Sequence, residues 1–212
     1  MNTDPPFDTA HAAVLAMDCQ VGIVSIYAKP PETFLSRAAA VLIAARRAGA
    51  PVVHVQVGFR PGLPEVSDRN LLFARVKASP QHQTLFDGPL AAIAPALGPE
   101  TGDIVVTKRR VSAFAGTDLA MLLRAKDVTT LVLFGIATSG VVLSTLLDAC
   151  DDDYQIVVIA DCCADLDDEL HSALLQRFFP QRAAVMTADE FVTAMSPVSA
   201  APPATNRAGR DS

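Results

Sequence analysis

Six short aliphatic runs recur along this chain, and the segments between most of them have the spacing of an amphipathic helix. The runs are Ala12–Met17, Pro51–Val57, Asp103–Thr107, Thr130–Gly135, Gln155–Ala160 and Ala183–Met186. They are apolar at nearly every position rather than at every second one, as strands buried on both faces are. Thr33–Ala48 places Phe34, Leu35, Ala38, Val41, Leu42 and Ala45 at helical spacing and stops at Gly49. Helices are likewise predicted over Thr117–Lys126, Ser139–Asp153, Asp167–Phe179 and Ala188–Met195. Strands alternating with helices imply a parallel sheet with right-handed crossovers and helices on both faces. The expected fold class is therefore α/β, a three-layer αβα domain.

Composition supports that reading. Half of the 212 residues are apolar, only 6% are aromatic and there is no Trp. Aliphatic strands under Ala-lined helices fit this balance better than a half-wet antiparallel sandwich. The expected organisation is one domain over 12–195, a flexible N-terminus over 1–11 and a disordered Ala/Pro/Ser/Arg tail over 196–212. Residues 58–100 break the pattern under Pro, Gly and polar residues, with a short helix around Asn70–Lys77. A loop-rich insertion of this length is more often functional than structural.

Several function classes drop out. A net charge of −6, with Lys108-Arg109-Arg110 as the densest basic cluster, argues against a nucleic-acid surface. The longest apolar stretches, Ala12–Met17 and Leu131–Ala137, fall far short of the ~20 residues of a membrane span. With no basic and apolar leader pattern at Met1–Pro6, a cytoplasmic location is expected. Cys19, Cys150, Cys162 and Cys163 have no zinc-ribbon or CxxC spacing and read as reduced thiols. His11, His54, His82 and His171 are scattered, so no metal or other cofactor is expected; His54 reads as a core histidine.

Ligands of open α/β sheets bind beyond the carboxyl ends of the strands, where strand order reverses. Three strand ends carry suggestive chemistry: Asp18-Cys19-Gln20, Lys108-Arg109-Arg110, and the small-residue loop Gly135–Gly140 that opens a helix. Taken singly, Asp18 reads equally well as a turn residue and Lys108 as a solvated one. The Gly135–Gly140 loop lacks the G-x-G-x-x-G spacing of a dinucleotide site.

Taken together, three ordered segments carry a more specific pattern. Val14–Gln20, Lys108–Leu119 and Leu131–Ala149 resemble the isochorismatase-like hydrolases, or cysteine hydrolases, which include nicotinamidases, carbamoyl-amide hydrolases and isochorismatases. The resemblance spans about residues 12–195. It implies a Rossmann-like six-stranded parallel sheet in order 3-2-1-4-5-6, a small-molecule substrate, and a homodimer or higher homo-oligomer. It also implies an Asp–Lys–Cys catalytic set, in which the Asp matches Asp18 and the Lys matches Lys108. A cis peptide is implied at Ile136–Ala137, with backbone N–H groups near Gly140 and Val141 serving an oxyanion. Gln20, Ala137 and Phe114 complete the expected substrate-binding set.

The sequence departs from this pattern at one position: Val141 stands where the nucleophilic Cys is expected. Valine has no lone pair with which to attack, so covalent thiol catalysis there is excluded. Of the other thiols, Cys150 faces away from Val141, Cys19 reads as packed, and Cys162 is the nearest to a replacement. Three readings remain: vinyl-ether hydrolysis with Asp18 as the acid, hydrolysis of another carbonyl or amidic substrate with Asp18 activating water, and a catalytically silent binding protein. In the hydrolytic readings Asp18 is the acid/base and Lys108 supports charge. His82, Arg60 and Arg75 in the insertion are further candidates to touch substrate, and Arg60 and Arg75 suit bidentate carboxylate binding.

Overall fold

A computed structural model describes residues 7–196. Six strands form one sheet: β1 (Ala12–Met17), β2 (Val52–Val57), β3 (Ile104–Lys108), β4 (Thr130–Ile136), β5 (Gln155–Ala164) and β6 (Ala184–Met186). All pairings are parallel, in the order β3-β2-β1-β4-β5-β6. Every residue of β1 and β4 is buried, and successive strand residues face opposite ways, so both faces of the sheet are covered. Sheet order and fold class agree with the sequence reading.

Of the longer helices, α2 (Pro31–Arg47) opens with Pro at its first position, where the missing N–H costs no hydrogen bond. It buries Phe34, Ala38, Val41, Leu42 and Ala45 and packs against α9 (Ala188–Ala194). That last helix is started by a reciprocal capping box between Thr187 and Glu190. Three elements differ from those expected. Helix α1 (Val21–Tyr27) is an addition to the expected elements: four of the seven residues of VGIVSIY are β-branched and none is charged, a composition that favours strand over helix. The register of β4 against β5 shifts between Leu133 and Gly135, and β5 runs on to Ala164, four residues past its expected end. The helix expected from Ser139 begins instead with a wide π-type turn, Thr138–Val142, before α7 (Leu143–Asp151).

The insertion contains α3 (Leu71–Ala78), α4 (Pro80–Thr84) and α5 (Gly88–Ala91). Leu63, Val66 and Phe73 form a small apolar cluster of their own within it. Later come α6 (Leu119–Ala125) and α8 (Asp168–Ala173); the helix expected to Phe179 continues as a π-type turn, Leu174–Phe178, and a short 3₁₀ turn. Of the expected N-terminal segment, residues 7–11 are described, and Phe7 is buried with its ring stacked 6.1 Å from that of Phe191. Residues 1–6, and the expected tail from 197 on, lie outside the described residues.

Candidate active site

The site follows from the register of the central strands. Met17 pairs with Val55 on one side and with Gly135 on the other, so Asp18 emerges between the carboxyl ends of β2 and β4. Gly135 has φ +142°, and a Cβ there would stand 2.0 Å from the Met17 carbonyl oxygen. Only glycine lets β4 approach β1 this closely. Asp18 itself has φ +54°, a left-handed conformation that non-glycine residues reach at a cost, and its N–H donates to the Val55 carbonyl at 2.7 Å.

Lys108 ends β3, paired with Val57. Its Nζ lies 2.8 Å from Asp18 Oδ2 and also donates to the Arg110 carbonyl at 3.1 Å. Both residues are enclosed, Asp18 at 6% and Lys108 at 2% exposure. The second carboxylate oxygen, Asp18 Oδ1, is buried with no partner. Burial pushes the Asp18 carboxyl up to about 6, against the downward pull of the Lys108 ammonium. The pair expected from the strand ends is thus in direct contact, and desolvation outweighs the charge that faces it.

The turn after β4 carries the remaining expected residues. The Ile136–Ala137 peptide is cis, at the place the resemblance implies. Val141 is 2% exposed and belongs to the main apolar core. The Gly140 N–H donates to the Ala137 carbonyl at 3.1 Å, so it is not free for an oxyanion as expected. Gln20 also departs from its expected role. Both hydrogens of its side-chain amide go to carbonyls, of Val57 at 3.0 Å and Ala91 at 2.8 Å, while its Oε1 accepts from the Val57 N–H. It fastens both ends of the insertion beside Asp18 rather than offering a donor to substrate. Phe114 stacks on Tyr154, which follows the far end of α7, and so packs away from Asp18.

The thiols are poorly placed for chemistry. Cys19, Cys162 and Cys163 are buried, and burial is the main cause that raises each thiol, that of Cys163 to about 12. His54 is enclosed in β2 with Nε2 3.1 Å from Asp103 Oδ2, and His82 lies on exposed α4. Among the described residues, no three His, Cys, Asp or Glu side chains gather as a metal site.

Three supporting contacts gave no signal in the sequence. Thr138, fully buried, shares its hydroxyl between the Ala164 carbonyl at 3.2 Å and His171 Nδ1 at 2.8 Å. The Ser139 N–H donates to Asp165 Oδ2 at 2.7 Å. Glu65 Oε1 lies 3.0 Å from Arg109 Nε and accepts from the Arg60 N–H at 3.0 Å, tying the insertion to the Lys108 segment.

Residues 12–190 match the family model for the isochorismatase domain. The chain is 33% identical to a maleamate amidohydrolase of Pseudomonas putida, over 77% of this chain and 76% of that protein. It is 37% identical to a ureidoacrylate amidohydrolase of Methylobacterium radiotolerans, over 82% and 72% respectively. A solved isochorismatase family protein from Burkholderia thailandensis superposes with a TM-score of 0.78 at 30% identity, covering 91% of this chain and 98% of the other.

Proposed function

The chain belongs to the isochorismatase family of hydrolases, and from that premise we propose that it hydrolyses a small amide-type substrate without a covalent thiol intermediate. The carrying observation is the enclosed Asp18–Lys108 pair, in which Lys108 engages Oδ2 while Oδ1 has no protein partner. In this reading Oδ1 takes a proton from water as the water oxygen adds to the substrate carbonyl carbon. The carbonyl electron pair moves to oxygen, and Lys108 stabilises that charge. The protonated carboxyl then gives its proton to the leaving nitrogen as the C–N bond breaks, releasing a carboxylic acid and an amine. A carboxyl with a pKa of about 6 is matched to both transfers near neutral pH. The names of the two amidohydrolase relatives support a C–N bond as the one broken. Val141 in place of a thiol, with the remaining buried cysteines held protonated, supports the absence of an acyl-enzyme.

The test is turnover of a panel of small primary amides and carbamoyl acids, with acid quench for intact-mass measurement and hydroxylamine as a trap. The expected result is hydrolysis with an unmodified protein mass and no hydroxamate. An acyl adduct, or hydroxamate at the expense of acid, overturns the non-covalent reading.

A further inference from the structure

The insertion lines an open cleft of about 370 Å³ whose walls include neither Asp18 nor Lys108. Such a volume suits a small organic molecule. Phe59 and Phe86 form part of it, together with Leu63, Val76, Arg60 and Asp87. The Phe59 ring is held edge-on between Phe73, at 5.6 Å, and Phe86, at 5.3 Å. That aromatic wall is therefore set before any ligand arrives.

Arg60 is anchored at its backbone and free at its head. Its N–H donates to Glu65 Oε1 at 3.0 Å, and its carbonyl accepts from Leu63 N–H at 2.9 Å. Its side chain is 60% exposed, and its guanidinium makes only a loose approach of 3.7 Å to the same Glu65 oxygen. A planar fork of donors is thus presented beside an apolar wall. The chain itself links the cleft wall to the strand that carries Lys108: Phe59 follows Gly58, whose N–H donates to the Lys108 carbonyl at 3.1 Å.

We propose that this cleft selects the substrate, taking a small carboxylate whose apolar or aromatic body lies against Phe59 and Phe86 while its carboxylate pairs with Arg60. The assignment rests on the reading of Asp18–Lys108 as the reaction centre. Asp87, whose Oδ1 accepts from the Gly88 N–H at 2.8 Å, adds a like charge, so the ligand holds its carboxylate at the Arg60 side.

Benzoate and its uncharged counterpart benzamide are the probes, titrated into the full chain by calorimetry. Benzoate is expected to bind about tenfold more tightly than benzamide, the size of one charge-assisted pair. Arg60→Gln is expected to remove that preference and Asp87→Asn to strengthen it. In turnover, benzoate is expected to compete with the amide substrate. Equal binding of the two probes, no binding of either, a preference unchanged in Arg60→Gln, or non-competitive inhibition each overturns the proposal. Asp18→Asn, run in parallel, keeps benzoate binding. If that variant also keeps turnover, the reaction-centre reading fails while the cleft stands.

Discussion

Lys108 Nζ lies 2.8 Å from Asp18 Oδ2 within a nearly closed site, yet the Asp18 carboxyl is pushed up to about 6 rather than down. One oxygen is held by a cation and the other is left unpartnered. A buried carboxylate of that kind stores free energy in the ground state and has a proton acceptor ready for use.

The first consequence is a pH dependence of stability. The folded pKa of about 6 lies above the ordinary value of 3.8, so the folded state binds the proton more tightly than the unfolded chain does. The stabilisation from Asp18 is then full below pH 4 and is lost as pH rises through about 6, to the extent of about 3 kcal/mol. Urea unfolding of wild type and Asp18→Asn at pH 4 to 8 checks this. The stability of the wild type relative to the variant is expected to fall between about pH 4 and 6 and to be flat from there to pH 8.

Rate against pH gives the direction of proton transfer. As a base, Asp18 must be ionised, and kcat/KM is expected to fall tenfold per unit below about pH 6. A fall above pH 6 instead identifies the acid role that vinyl-ether hydrolysis requires.

Gly135 tests how closely the site depends on β4 meeting β1. A Cβ at 2.0 Å from the Met17 oxygen, on a backbone with positive φ, is expected to make Gly135→Ala destabilising by about 3 kcal/mol or more. Gly102→Ala, with positive φ but nothing within 4 Å, is expected to cost about 1–2 kcal/mol. Denaturant midpoints of the two variants compare them directly.

Thiol reagents separate the cysteines. In the native chain only Cys150, which is partly exposed, is expected to react with a disulfide reagent, while Cys19, Cys162 and Cys163 react after unfolding. Turnover is expected to survive the modification.

Asp103 holds the opposite end of β3. It accepts from Arg46 Nη2 at 2.6 Å and the Glu100 N–H at 2.9 Å, and His54 Nε2 lies 3.1 Å away. Burial raises its carboxyl, but these partners outweigh burial and hold it below the usual range. Its stabilisation is present at neutral pH and lost in acid as the carboxyl takes up its proton. Asp103→Ala is expected to cost about 3 kcal/mol at pH 7, measured by urea unfolding.

The strands were legible because an uninterrupted aliphatic run has few alternatives to a buried strand. Ala12–Met17 matches the expected range, and β2 and β4 differ from theirs by one residue at one end. Helices α4 and α5 were not legible, being four or five residues long and rich in Pro, Gly and polar residues, where hydrophobic periodicity has no length to act on. Strand ends and family motifs single out Asp18 and Lys108, and the fold brings these two side chains into contact. The contact between Thr138 and His171 joins residues 33 apart in sequence, and nothing local in either segment announces it. The same holds for Gln20, expected at the site as a neighbour of Asp18: only the fold reveals that its amide donates to the Val57 and Ala91 carbonyls.

The central claim is that Asp18 moves the proton in a hydrolysis that needs no thiol. Its most direct test is kcat/KM of Asp18→Asn against wild type on the best amide of the panel, with circular dichroism to confirm the fold. A loss of about 10²- to 10⁴-fold is expected, the usual contribution of a positioned acid/base. Unchanged turnover in Asp18→Asn, or a wild type inert toward every substrate offered, contradicts it.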